Sequence, residues 1–501
     1  MTLRASCRNW LARHPRLQRS ARFLKRHRRR ITGTVVFVAH LLGALTSVRA
    51  IMETRTSQGA IAWAISLNTM PYVAVPAYWV FGRSDFNGYI TARRTERESL
   101  KPFWRNFDST LRERSLVPEP GNSGTTVVER LAKLPATSGN HAELLIDGEQ
   151  TFPSILEGIA RAEHYILFQF YIIRDDPTGR EIRDALIQRA QAGVRCLVLY
   201  DEFGSKPPDD YLAPLRDAGV RIFPFNTTQG DANRFQINFR NHRKIVVVDG
   251  LEAWVGGLNL GDEYKGLDPE VGYWRDTHIR VEGPVVQTVQ VSFAEDWYWA
   301  AREVLEGLNW DPQPAKNGAD MRMLCLPSGP VDPLETCTLF FLHAINTAEH
   351  RLWIASPYFV PDAQFISALQ LAALRGVDVR ILIPDESDNG LVDLSCWSYL
   401  PELHAAGIEV YRYEKGFMHH KVTVIDDRYC TIGTANFDNR SFRLNFEVTM
   451  GVEDESFTGE VIRMLETDFS HSRKVVPGEF GEKSAWFRFW SRVARLTAPV
   501  Q

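Results

Sequence analysis

The sequence predicts an α/β chain made by tandem duplication. Two three-layer α/β/α halves pack as a pseudo-dimer, preceded by an N-terminal transmembrane helical hairpin. Three observations predict this. One spaced pattern occurs twice: His242-x-Lys244, four residues, Asp249, six residues, Gly256-x-x-Asn259; then His419-x-Lys421, four residues, Asp426, six residues, Gly433-x-x-Asn436. Strand-like and helix-like runs alternate around both copies. Two long uncharged stretches precede them.

Residues 1–30 read as a basic cytoplasmic arm. They carry 11 of the 58 Lys and Arg and none of the 61 Asp and Glu, which leaves the rest of the chain formally acidic. A basic arm beside an acidic body points to an anionic surface. The next segment, 31–82, reads as two membrane helices. Ile31 to Val48 has only His40 as a polar titratable group, and Gln58 to Gly82 is uncharged and holds Trp63, Tyr72, Tyr78 and Trp79. Each is near the ~20 residues of one membrane span. Buried core helices or interfacial segments are the alternatives. A signal peptide fits less well, because the arm is long and no small-residue cleavage site follows. Basic residues flank both outer ends, the arm before and Arg83, Arg93, Arg94 and Arg97 after. By the positive-inside rule, N-terminus and catalytic body both lie in the cytoplasm. Residues 83–140 read as a connector, with a loop by composition at Val117-Pro118-Glu119-Pro120-Gly121.

The first half spans 141–315 and the second 316–480. In each, an Ala-Glu-His triplet (162–164, 348–350) precedes a strand-like run, Tyr165 to Phe168 or Leu352 to Ala355. An apolar-periodic helix follows, Ile182 to Ala192 or Phe365 to Leu374, ending at Gly193 or Gly376. Buried strands come next, Val194 to Leu199 and Val377 to Ile383. Each motif then forms a hairpin. Its first strand is β-branched, Ile245 to Val248 or Val422 to Ile425. Asp249-Gly250 and Asp426-Asp427 make the turns. Side chains two apart on a strand share a face, so His and Lys leave the backbone together. Two facing copies would place one site between the halves. The basic, aromatic segment 481–501, with Trp486-Phe487-Arg488-Phe489-Trp490, reads either as an interfacial amphipathic helix or as a helix packed on the body.

This side-chain kit suits phosphodiester chemistry. A histidine serves as nucleophile or general acid. A lysine neutralises phosphoryl oxygens, and an asparagine amide donates to them. Two histidines are what a double displacement needs. The duplicated motif resembles that of the phospholipase D superfamily. Flanking segments narrow the resemblance to bacterial cardiolipin synthases: Tyr273-Trp274-Arg275-Asp276-Thr277-His278, Ser356-Pro357-Tyr358-Phe359-Val360-Pro361, Asn436-Phe437-Asp438-Asn439-Arg440-Ser441-Phe442 and Asn445-Phe446-Glu447. One departure stands out: the family often has Ser after the motif glycine, and here Gly257 and Thr434 occupy those positions.

The resemblance implies two phospholipase D-like repeats and phosphatidyl transfer between two phosphatidylglycerol molecules, giving cardiolipin and glycerol through a phosphohistidine. A hydrolytic phospholipase D or another phosphodiesterase of the superfamily is the alternative. The catalytic motif positions are His242, Lys244, Asp249, His419, Lys421 and Asp426. The resemblance makes His242 the nucleophile and His419 the acid and base. Asp249 and Asp426, at turn positions and of opposite strand parity, read as hairpin support. Asn259 and Asn436 are expected to bind phosphoryl oxygens. Asp276 and Glu447 resemble the family carboxylates that orient the histidines, and which serves which is open. His278 and His420 read as bystanders. No metal or other cofactor is expected, because the two lysines supply positive charge. Expected partners are phosphatidylglycerol and anionic membrane lipid. Nucleic acid is not expected, since a nuclease needs a basic groove and this body is acidic. Six cysteines without paired spacing indicate neither a disulfide framework nor a zinc site. The expected location is the bacterial cytoplasmic (inner) membrane, multi-pass.

Overall fold

A computed structural model describes residues 15–54, 56–82, 89, 107, 109–118, 123–226, 228 and 238–501, with backbone alone over 15–25, 123–125 and 500. The chain divides into two units, residues 1–85 with 235–238, and residues 86–234 with 239–501.

The first unit is a helical hairpin of α1 (Pro15–Glu53), α2 (Ser57–Thr69) and α3 (Pro71–Ala77). The arm differs from expectation where it is described. Residues 15–30 are the first turns of α1 itself, because Arg, Lys and Leu are strong helix formers and neither Gly nor Pro interrupts Arg16 to Thr32. Residues 1–14 of the expected arm lie outside the described residues. Within α1, Arg26–Glu53 is long and apolar enough to cross a membrane, by length and composition. The second stretch is not one continuous helix. It breaks at Met70 (φ −133°, ψ 53°), the residue before Pro71, where proline's ring disfavours helical backbone. The 13 residues of α2 rise about 20 Å, short of the ~30 Å hydrocarbon core. Among the described residues α1 is the one helix long and apolar enough, by length and composition, to cross a membrane, and the second stretch is a broken helix, α2 followed by α3. The hairpin itself forms. Thr56 caps α2 by accepting the Gly59 N–H (3.1 Å). At Gly43 an added Cβ would lie 2.2 Å from the Leu67 carbonyl oxygen, so the helices approach backbone to backbone.

Of the expected connector, residues 83–88, 90–106, 108 and 119–122 lie outside the described residues. The second unit carries the duplication. Its first half contains β1 (Thr137–Ile146), β2 (Tyr165–Phe170), β3 (Arg195–Asp201), β4 (Arg221–Phe225), β5 (Arg240–Asn241), β6 (Ile245–Val248), β7 (Glu252–Gly256), β8 (Trp274–Arg275) and β9 (Thr277–Glu282). The second contains β10 (Met321–Ser328), β11 (Arg351–Ala355), β12 (Phe359–Val360), β13 (Asp378–Pro384), β14 (Glu409–Tyr413), β15 (Phe417–Met418), β16 (Val422–Ile425), β17 (Tyr429–Gly433), β18 (Phe437–Asp438), β19 (Asn445–Glu453) and β20 (Ser472–Lys474).

The order β4-β3-β2-β6-β7-β9-β1 in one half mirrors β14-β13-β11-β16-β17-β19-β10 in the other. Antiparallel pairing of β1 with β10 joins the halves into one sheet, so the pseudo-two-fold runs between these strands. The expected strand–helix–strand units are present. α4 (Pro177–Gln191) links parallel β2 and β3, and α6 (Ala363–Leu374) links parallel β11 and β13. Their closing glycines, Gly193 (φ 94°) and Gly376 (φ 95°), take the left-handed backbone that ends a helix. α5 (Val285–Ala301) and α9 (Glu455–Ser470) bury apolar faces against the sheet in a core shared by both halves. α7 (Gly390–Trp397), α8 (Asn439–Arg443) and α10 (Ala485–Arg495) belong to the second half and C-terminus. Two short parallel ladders cross between repeats: β5 pairs with β19, and β8 pairs with β15.

Candidate active site

The crossing ladders build the site. In the first, Asn445 faces Arg240 and Phe446 faces Asn241, so the next residues in line are Glu447 and His242. In the second, Phe417 faces Trp274 and Met418 faces Arg275, so the next are His419 and Asp276. A backbone bond closes each register: His242 N donates to the Phe446 carbonyl (2.9 Å), and His419 N to the Arg275 carbonyl (2.7 Å).

Each histidine thus meets the carboxylate of the opposite repeat. His242 Nδ1 lies 2.9 and 3.1 Å from the Glu447 oxygens, and His419 Nδ1 lies 2.8 Å from Asp276 Oδ2. Both carboxylates are fully buried. A carboxylate on Nδ1 holds the proton there and leaves Nε2 as the reactive nitrogen. The lysines sit one strand step on. Lys244 Nζ donates to the His242 carbonyl (2.8 Å), and Lys421 Nζ makes the same bond to His419.

A second buried layer fixes the carboxylates. Arg243 donates from Nε to the Glu447 carbonyl (3.1 Å) and pairs with Asp296 of α5 (2.9 Å). Arg275 donates to the Asp276 carbonyl (3.0 Å) and pairs with Asp468 of α9 (2.7 Å). Both arginines come from the first repeat, where their counterparts in the second are His420 and Phe446, whereas Asp296 and Asp468 stand on the equivalent helices α5 and α9. The side chains beyond the carboxylates break the symmetry. Glu447 also accepts from the Thr434 hydroxyl (2.6 Å) and the Asn445 amide (3.0 Å). The position equivalent to Thr434 is Gly257, where an added Cβ would lie 2.0 Å from Asp276 Oδ1. Asp276, one methylene shorter, instead accepts from the Thr277 N–H (2.7 Å). The departure from the family's usual serine therefore becomes a hydroxyl on one side and bare backbone on the other.

Burial dominates the electrostatics. It pushes His242 down to about 4, with Glu447 acting in the opposite direction. His419 is driven well below its ordinary value by burial and by Lys421. Lys244 is also driven down by burial, and Lys421 falls to about 8. Burial alone would raise Glu447, but contact with His242 outweighs it and the carboxyl lies low; Asp276 is raised by burial. Free of substrate, the site therefore favours neutral histidines beside ionised Glu447. An anionic phosphodiester entering between them supplies the negative charge that stabilises a histidinium.

The remaining predicted residues have different surroundings. Asp249 sits in the turn with φ 53° and accepts from the backbone N–H groups of Glu163, His164 and Tyr165 (2.7, 2.8 and 2.7 Å). Asp426 (φ 54°) does the same for Glu349, His350 and Arg351. The two Ala-Glu-His triplets are thus the loops that these aspartates hold. Asn259 Oδ1 accepts the Ile172 N–H (3.2 Å), while the buried Asn436 Oδ1 has no hydrogen-bond partner among the described residues. His278 receives a long bond from the Leu258 N–H (3.4 Å), and His420 Nδ1 contacts the Thr277 hydroxyl (3.1 Å). Neither joins the histidine pair. Sequence reasoning passed over Tyr171, whose ring stands edge-on 5.0 Å from His242, and gave no role to Trp274, 5.1 Å from His419. Trp274 lies inside the Tyr273–His278 segment that carries the family resemblance, and Tyr171 has no sequence signal beyond following a strand.

The fold and this paired-histidine centre define a two-repeat protein of the phospholipase D type. A family model described as "Cardiolipin synthase, PLD-like domain" matches residues 155–297 and 341–471. The chain is 44% identical over 474 residues to Cardiolipin synthase A of Pseudomonas putida (strain W619), covering 93% of this chain and 98% of that one. It is 46% identical over 478 residues to Cardiolipin synthase A of Pseudomonas syringae pv. syringae (strain B728a), with the same shares covered. Among solved structures, the phosphatidylserine synthase of Haemophilus influenzae Rd KW20 superposes with a TM-score of 0.54 at 16% identity, over 76% of this chain and 100% of that one, a likeness of fold. The chain belongs to the cardiolipin synthase family with phospholipase D-like domains.

Proposed function

We propose that this protein is a membrane-bound cardiolipin synthase, a phosphatidyltransferase that joins two phosphatidylglycerols and releases glycerol. The observation that carries the reading is the pair of histidines, each held at Nδ1 by the carboxylate of the opposite repeat. In the first step Nε2 of His242 attacks phosphorus, and His419, protonated, gives its proton to the departing glycerol oxygen. The phosphatidyl group is now on His242 and His419 is neutral. In the second step His419 takes the proton of a glycerol hydroxyl on the second phosphatidylglycerol. That oxygen attacks phosphorus, cardiolipin leaves and His242 is regenerated. Lys244 and Lys421 offset the charge developing on the phosphoryl oxygens, and Asn259 and Asn436 are assigned to bind those oxygens. Asp249 and Asp426 are assigned to support.

The proposed location is the bacterial cytoplasmic membrane, with more than one pass and the catalytic unit on the cytoplasmic side. Its support is the apolar length of α1 and the basic residues flanking the hairpin. The test is lipid analysis after incubating full-length detergent-extracted protein with labelled phosphatidylglycerol, alongside His242→Ala and His419→Ala. Cardiolipin and glycerol from the wild type, with both variants inactive, is the expected result. Phosphatidic acid as the main product would make the protein a hydrolase.

A further inference from the structure

The helix α10 has two working faces, and the chemistry proposed above uses neither. Ser484 caps it by accepting the Phe487 N–H (3.1 Å). One face rests on the body: Ser491 and Ala494 are buried, Phe487 meets Trp397 of α7 edge-on at 5.9 Å, and Arg495 pairs with Glu402 (2.6 Å). The other face is bare. Trp486, Phe489 and Trp490 are 68%, 53% and 43% exposed, and Leu496 just beyond is 79% exposed. With Val493 they follow the i, i+3, i+4, i+7 spacing of one helical stripe. The three aromatic rings touch one another, with centroids 5.5–5.9 Å apart. A contiguous apolar patch of this kind marks an interaction surface.

We propose that α10 is a membrane-contact helix: Trp486, Phe489 and Trp490 enter the headgroup layer of an anionic bilayer while the opposite face holds the catalytic unit. Charge selects this occupant. From Ala485 to Leu496 the chain carries Arg488, Arg492 and Arg495 and no acidic residue. Arg495 is paired with Glu402; Arg488 and Arg492 have no carboxylate partner among the described residues. An apolar stripe flanked by arginines matches acyl chains beneath anionic headgroups, and tryptophan favours that interface. Two copies packed through the same face would bring their arginines together, which like-charge repulsion opposes.

The attachment of α10 gives the contact a purpose. Its partner α7 begins directly after a loop in which Asp388 accepts from the Tyr358 hydroxyl (2.8 Å) and lies within electrostatic reach of Lys421. Beyond α10, the Gln501 carbonyl accepts the Arg440 N–H (2.7 Å), four residues after Asn436. The segment after α10 is therefore bonded four residues from Asn436, and the helix beneath α10 follows a loop that reaches Lys421, which links a bilayer on α10 to the candidate site.

The test uses the full-length chain in vesicles of phosphatidylethanolamine and phosphatidylglycerol, in a Cys7→Ser background because the described native cysteines are buried. An environment-sensitive dye is placed at Phe489→Cys, and at Glu460→Cys on α9 in the opposite helical layer as control. Lipids brominated on the upper acyl chain are expected to lower emission at 489 about two-fold or more and to leave 460 unchanged. No quenching at 489 overturns the proposal. A dye that is shielded from water, unquenched by the lipid and sensitive to protein density also overturns it, in favour of a second copy. The dye does not depend on which lipid the enzyme turns over, so its result stands apart from the synthase reading. In parallel, Trp486→Ser/Phe489→Ser/Trp490→Ser is expected to lose about ten-fold or more of turnover on vesicles and to keep turnover of a short-chain monomeric phosphatidylglycerol. Equal turnover of both substrates by this variant and wild type would refute the role.

Discussion

Replacing Glu447 by Gln and Asp276 by Asn tests the crossing of carboxylates between repeats. Glu447 is fully buried and meets Nδ1 of His242 at 2.9 Å, and Asp276 meets Nδ1 of His419 at 2.8 Å. An amide in place of either carboxylate removes the charge that stabilises a histidinium and allows the wrong tautomer. In a histidine-orienting position this costs about 10⁴-fold in kcat, or about 5 kcal/mol of transition-state stabilisation. The proposed roles separate the two variants. A nitrophenyl phosphodiester has a leaving group that departs without a proton, so its release needs the nucleophile but not the general acid. Glu447→Gln should then behave as His242→Ala, with no burst of nitrophenol in rapid mixing. Asp276→Asn should behave as His419→Ala, with a burst retained and turnover lost. If Glu447→Gln instead matches His419→Ala, each carboxylate serves the histidine of its own repeat and the reasoning fails, whichever histidine is the nucleophile.

Thr434→Val removes the 2.6 Å bond to Glu447, a charge-assisted contact worth about 2 kcal/mol; kcat/KM should fall about 30-fold, and Thr434→Ser should restore it. Gly257→Ala puts a Cβ 2.0 Å from Asp276 Oδ1, so activity should drop at least 100-fold (on the order of 3 kcal/mol) while His242-dependent burst chemistry survives in the nitrophenyl assay. Asp249→Ala strips the acceptor from three backbone N–H groups, which should lower unfolding stability by about 2–4 kcal/mol in urea melts, with activity per folded molecule within a few-fold of wild type. Burial holds His242 at about 4 and His278 at about 3, below the ~6.5 of an unfolded histidine. The unfolded chain therefore binds more protons in that window. These groups cost no stability above about pH 7, and stability falls as pH drops from about 6.5 towards 4; His278→Gln should make the decline shallower in urea midpoints taken across that range. Lys421, at about 8, should set an alkaline limb in kcat/KM, and a profile flat to well above that value would exclude it.

The duplication, the strand–helix alternation and the side chains of both motifs were legible from residue order because each rests on local chemistry. The β-branched runs Ile245–Val248 and Val422–Ile425 favour strands, and Asp249-Gly250 supplies the left-handed turn that a short hairpin needs. The break at Met70 was also within local reach, since the following Pro71 is visible, but the uncharged length from Gln58 to Gly82 concealed it. The two faces of α10 were not legible, because alternating aromatic and basic residues suit docking and exposure equally until Trp397 and Glu402 are placed beneath one side. Thr434 acquires its partners, the Glu447 carboxylate and the Val448 backbone, only where β17 lies against β19. Above all, the sequence by itself set which histidines and carboxylates exist, and the tertiary structure decided their partners. His242 and Glu447 are 205 residues apart, and His419 and Asp276 are 143 apart. Their pairing follows from β5 lying on β19 and β8 on β15. Such registers between distant strands depend on how the two repeats pack across their dyad, and no residue spacing within either repeat encodes that.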